Sequence, residues 1–70
     1  EKIARLTPRE VEIVGLVSEG LNGERIARQL RISEATVRNH LTWILGKLGL
    51  SNKFELAVYA HRHRIGGKPG

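Results

Sequence analysis

The sequence predicts an all-α domain of four helices. Apolar residues recur at helical spacing in four separate runs, each preceded by a side chain able to cap a helix N-terminus, with glycine or a short turn between runs. The first run opens on Leu6-Thr7-Pro8-Arg9-Glu10. Thr7 can cap the helix, Pro8 suits the first helical position because its missing N–H needs no partner there, and Glu10 completes a capping box. Leu6 and Val11 stand at the spacing of a hydrophobic staple. Ile13, Leu16 and Val17 continue the stripe to Gly20, so helix 1 is expected over residues 8–19.

Asn22 can cap a short second helix over residues 23–30, with Ile26, Ala27 and Leu30 on one face and Arg25 and Arg28 opposite. After Arg31-Ile32-Ser33, Ser33 caps a third helix over residues 34–48. Its apolar residues Val37, Leu41, Ile44, Leu45 and Leu48 form the strongest periodicity in the chain, and Gly49 ends it. Ser51 or Asn52 starts helix 4, which carries Phe54 through Arg64. The closing Gly66-Gly67-Lys68-Pro69-Gly70 has too little apolar content to fold and reads as a disordered tail.

Two helices joined by a three-residue turn, the second longer and amphipathic, form the layout of a helix-turn-helix, which in many proteins lays its second helix in the major groove of DNA. The charge distribution agrees. Residues 1–24 carry three basic and five acidic side chains, whereas residues 25–70 carry nine basic and two acidic, a local +7 within a total of +5. Basic charge gathered on one part of a fold is the footprint of a polyanion binder.

Successive helical residues turn by about 100°. With the stripe of helix 3 inward, Ala35, Asn39, Thr42 and Gly46 point most directly outward, and Arg38 and Trp43 lie on the shoulders. Arginine can donate two hydrogen bonds to guanine, asparagine can pair with adenine, and a threonine methyl or alanine can touch the thymine methyl. No acidic residue occurs between Ala35 and Leu50. Phosphate contacts are expected at the rim, from the helix N-termini near Asn22 and near Ser33 and Thr36, and from Arg25, Arg28, Arg31 and Lys47. His40 is expected beside the core, within reach of a phosphate.

The ordered set Leu6-Thr7-Pro8-Arg9-Glu10, Gly20-Leu21, Ile26-Ala27, Ser33, Thr36-Val37-Arg38-Asn39-His40, Lys47-Leu48-Gly49 and Ser51-Asn52-Lys53 resembles the LuxR-type (GerE or FixJ) helix-turn-helix domain from Leu6 to Ala60. The resemblance implies a four-helix bundle over residues 6–65 at the C-terminus of a bacterial transcription regulator, such as the response regulator of a two-component system. Residues 1–5 would then be the end of a linker from an upstream receiver or sensor domain. It implies base reading by Arg38, Asn39 and Thr42, backbone contacts by Thr36 and Lys47, and a homodimer formed through the last helix. Four positions depart from the family pattern: Glu24 stands where lysine is common, Gly46 where a long polar or basic residue is usual, Lys53 in place of arginine, and Trp43 at a position usually polar.

On helix 4, Phe54, Val58, His61 and Ile65 line one face and Leu56 and Ala60 another. Leu56 and Ala60 are expected in the core, with Phe54, Val58 and His61 meeting a second copy; the competing arrangement folds Phe54 back onto its own core. Trp43 is expected to pack on a neighbouring side chain of its own domain rather than under an upstream domain. His61 and His63, two apart, fall on different sides of a helix and make no metal site. No cofactor is expected.

Other function classes find little support. One domain is all that seventy residues allow. The absence of cysteine excludes disulfides and cysteine zinc sites and fits a reducing, cytoplasmic setting. No apolar run approaches the length of a membrane span. There is no glycine-rich phosphate loop, cysteine nucleophile or carboxylate pair for catalysis, so the chain reads as a non-enzyme. The first residue, Glu1, suggests a piece of a longer protein. Two other readings are a protein-interaction module using the Trp43 or Phe54 surface, and nonspecific nucleic-acid binding. Arg38 and Asn39 on an acid-free face weigh against both, since a partner-binding face usually carries more apolar area.

Overall fold

The capping residues read from the sequence start all four helices. In the computed structural model, which describes residues 6–65, these are α1 (Pro8–Ser18), α2 (Gly23–Leu30), α3 (Glu34–Leu48) and α4 (Lys53–His63). The linker assigned to residues 1–5 and the tail assigned to 66–70 lie outside the described residues. Thr7 Oγ1 accepts the Glu10 N–H at 3.2 Å while Glu10 Oε1 accepts the Thr7 N–H at 2.8 Å, closing the capping box. The Asn22 side chain accepts from Arg25 N–H, Ser33 from Thr36 N–H and Asn52 from Glu55 N–H. Asn52, not Ser51, is therefore the cap of α4, and the Ser51 N–H donates to Glu55 Oε1.

The four helices also end in one way. After each, a residue in the left-handed region reverses the chain: Gly20 at φ 90°, Arg31 at 60°, Gly49 at 70° and Arg64 at 55°. The next N–H then donates to a carbonyl five residues back, from Leu21 to Leu16, Ile32 to Ala27, Leu50 to Leu45 and Ile65 to Ala60. This is the hydrogen bond of the Schellman motif, and its apolar residue packs back on the helix it terminates. Leu21, Ile32 and Leu50 are half-buried against the core, and Ile65 is inside it. Periodicity grouped Ile65 with Phe54, Val58 and His61; the turn at Arg64 carries it off that face into the interior.

The core draws Ile13, Val14, Leu16 and Val17 from α1, Ile26 and Ala27 from α2, Val37, Ile44 and Leu48 from α3, and Leu56 and Ala60 from α4. Leu30, Leu41 and Leu45 pack against it half-buried. Helix α1 lies against α4 and α3, and α2 lies against α3, so α3 is held from two sides while its remaining face is left to solvent.

Arginine in the left-handed region costs about 1 kcal/mol that glycine avoids. Arg64→Gly should therefore raise the melting temperature by a few degrees, whereas Arg64→Ala, which removes the charge but keeps a Cβ, should give no gain in the same thermal melts.

Candidate nucleic-acid interface

Helix α3 buries Val37, Ile44 and Leu48, and this fixes what it shows to solvent: Ala35, Arg38, Asn39, Thr42 and Gly46 are all exposed. Arg38 and Asn39 are consecutive and stand about 100° apart around the helix, with Thr42 one turn beyond Arg38. The Thr42 hydroxyl donates to the Arg38 carbonyl at 3.0 Å. Its proton is thus committed to the helix, and what Thr42 offers a groove is a methyl group and oxygen lone pairs. The left-handed turn at Arg31 and the anchoring of Ile32 set the angle at which α3 leaves α2, so the direction of this face is decided by packing.

At the rim, the Asn22 and Ser33 oxygens are occupied by helix caps, and Ser33 and Thr36 hydroxyls lie 2.8 Å apart. Arg25 and Arg31 are exposed, while Arg28 pairs with Glu24 at 3.2 Å. His40 is half-buried, and its Nδ1 is buried without a hydrogen-bond partner. An N–H there would be orphaned, which favours the tautomer carrying its proton on Nε2.

Lys47, read from the sequence as a phosphate contact, has its ammonium held within the fold. Its Nζ lies 2.8 and 3.1 Å from the two carboxylate oxygens of Glu10, a residue only 3% exposed. Glu10 was legible as part of the capping box but not as the anchor of α3. The signal was weak: a lone glutamate and a lone lysine 37 positions apart, brought together only when α1 and α3 pack.

The chain matches the family described as bacterial regulatory proteins, luxR family, over residues 4–60. The chain belongs to the LuxR family. It is 43% identical over 63 residues to the nitrate/nitrite response regulator protein NarL of Escherichia coli K12, covering 90% of this chain and 29% of NarL. Identity to the transcriptional regulatory protein LiaR of Bacillus subtilis is 45% over 60 residues, covering 86% of this chain and 28% of LiaR. Identity to the DNA-binding transcriptional activator DevR/DosR of Mycobacterium tuberculosis is 34% over 70 residues, covering all of this chain and 32% of that protein. The chain thus spans less than a third of each of these relatives. As a LuxR-family helix-turn-helix domain it is of the DNA-binding, transcription-regulating kind, and these relatives are regulators rather than enzymes. Among the described residues no helix is long and apolar enough to cross a membrane.

Among the described residues, the LuxR-family domain carries its exposed large apolar side chains at two places. Trp43, 59% exposed on α3, packs edge-on against His40 with ring centres 5.7 Å apart, so the expected partner within its own domain is His40. On α4, Leu56 and Ala60 are buried as expected and Phe54 is 76% exposed, so Phe54 does not fold back onto its own core. Phe54 and Val58 border a shallow groove of about 550 Å³ that also touches Leu50, Tyr59 and His63. His61 stands at the other edge of that face, its Nε2 3.0 Å from the Ser18 carbonyl oxygen of α1.

Burial pushes the Glu10 pKa up, but hydrogen bonds from Lys47 and the Thr7 N–H, with the lysine charge, outweigh it and leave the carboxyl below its ordinary value of 4.5. A folded-state pKa below the unfolded one makes this stabilisation complete above the unfolded value and lost as pH falls through the folded one. Melting temperature should accordingly fall below about pH 4.5, and the acid-induced loss should be smaller in Glu10→Gln. Lys47→Ala should cost about 2–3 kcal/mol at neutral pH, short of a fully buried pair because the lysine is 34% exposed.

Proposed function

We propose that this chain is the sequence-reading module of a bacterial response regulator, with α3 as the recognition helix in the major groove. The observation that carries this reading is the exposed face of α3, which beyond Glu34 in its first turn carries no acid from Ala35 to Leu48. Arg38 and Asn39 would select bases by bidentate hydrogen bonds, and Thr42 would add a methyl contact at a third position. Asn22, Arg25, Ser33, Thr36 and His40 would touch the sugar–phosphate backbone around them, with His40 donating from Nε2. Lys47 would add positive charge at that rim while serving first as the partner of Glu10.

The exposed Phe54 and Val58 support a homodimer formed through α4, with His61 at the edge of the contact, placing two copies of α3 on paired half-sites. The small share of its relatives that the chain spans supports an upstream receiver or sensor domain in the whole protein, which would control dimerisation. A cytoplasmic location follows from contact with DNA.

Selection from random-sequence duplexes should recover a recurring motif, ideally as two half-sites. Arg38→Ala should lose roughly 10- to 100-fold in discrimination at one base position, corresponding to about 1–3 kcal/mol. Equal loss on selected and random duplexes would remove Arg38 from base reading. Phe54→Ala should change monomer stability by less than about 0.5 kcal/mol, as befits an exposed position. It should nevertheless abolish cooperative binding to paired half-sites, measured by sedimentation and by titration of one-site and two-site duplexes.

A further inference from the structure

On α3, Trp43 follows Asn39 by one helical turn and precedes Gly46 by three residues, so the three are neighbours on one flank of the exposed face. The indole is 59% exposed although it is the largest apolar group on the helix. Its ring is not loose, because the edge-on contact with His40 at 82° and 5.7 Å limits where it can swing, and His40 is itself half-buried. Beside it, Gly46 presents bare backbone: a Cβ there would meet nothing within 4 Å. The flank therefore pairs a braced, outward aromatic plate with a gap wide enough for another surface to approach the helix axis.

Resting on the reading of α3 as the recognition helix, we propose that Trp43 closes on the deoxyribose wall of the major groove beside the bases read by Asn39, with Gly46 letting the C-terminal half of α3 approach the duplex closely. The stretch from Ala35 to Leu50 holds no acid and residues 25–70 carry a net +7, which fits a polyanion better than a basic or apolar protein. The contact is apolar and uncharged. It adds affinity by removing a large exposed ring from water and releases no counterions, so it does not weaken as salt rises.

The chain has a single tryptophan, so its fluorescence reports this residue alone. The experiment follows binding of a fluorescently labelled duplex, recovered by the selection above, through the anisotropy of its label, and measures acrylamide quenching of Trp43 free and at saturation. The expected result is at least twofold protection of the indole on binding, with Arg38→Ala still showing it at saturating protein. Trp43→Ala should bind about tenfold more weakly with an unchanged slope of log affinity against log salt and an unchanged melting temperature. Trp43→Phe, which keeps a ring beside His40, should recover most of the loss. Binding by anisotropy with unchanged quenching, or wild-type affinity in Trp43→Ala, would overturn the inference and leave the DNA reading standing. No binding to any duplex would overturn both.

Discussion

Glu10 is the residue on which the arrangement of the helices depends. One carboxylate oxygen accepts the Thr7 N–H and so closes the first turn of α1, while both oxygens receive Lys47 from the last turn of α3. A charge this deeply buried is tolerable only when its oxygens are satisfied, and here local capping and a distant ammonium satisfy them together. Start of α1 and end of α3 are thereby held in one relation. Because Lys47 and the outward face share a single rigid helix, the orientation of Arg38 and Asn39 depends on that relation.

The same economy appears at the helix ends. A domain of this size has a modest core, and apolar residues just past each helix extend it. The repeated left-handed turn converts Leu21, Ile32, Leu50 and Ile65 from linker residues into packing residues. It also shortens the connections, leaving α2 and α3 separated by only three residues. The turn at Arg31 thus serves two ends, completing the core at Ile32 and aiming α3 outward.

With its inner side held by α1 and α2, α3 can afford an outer side with almost no internal partners. Polar groups that make few bonds within a fold cost little while water satisfies them, and they remain available to a ligand. The outward residues of α3 and the exposed Phe54 and Val58 of α4 lie on different helices, so in the proposed function contact with DNA and contact between copies need not compete.

Much of this was determined by sequence alone. Caps, stop signals and apolar spacing act within one or two turns, so the four helices, the burial of Leu56 and Ala60, and the outward set Ala35, Arg38, Asn39, Thr42 and Gly46 could all be read from the order of residues. Tertiary structure decided what depends on distant parts of the chain. It paired Lys47 with Glu10, brought His61 to the Ser18 carbonyl, and left Phe54 exposed. It also forced Arg31 and Arg64 into a conformation their side chains disfavour, because packing Ile32 and Ile65 outweighs the local cost. Local patterns specify elements because their interactions span a few residues; pairings across the core depend on how whole helices stack, which no short window of sequence contains.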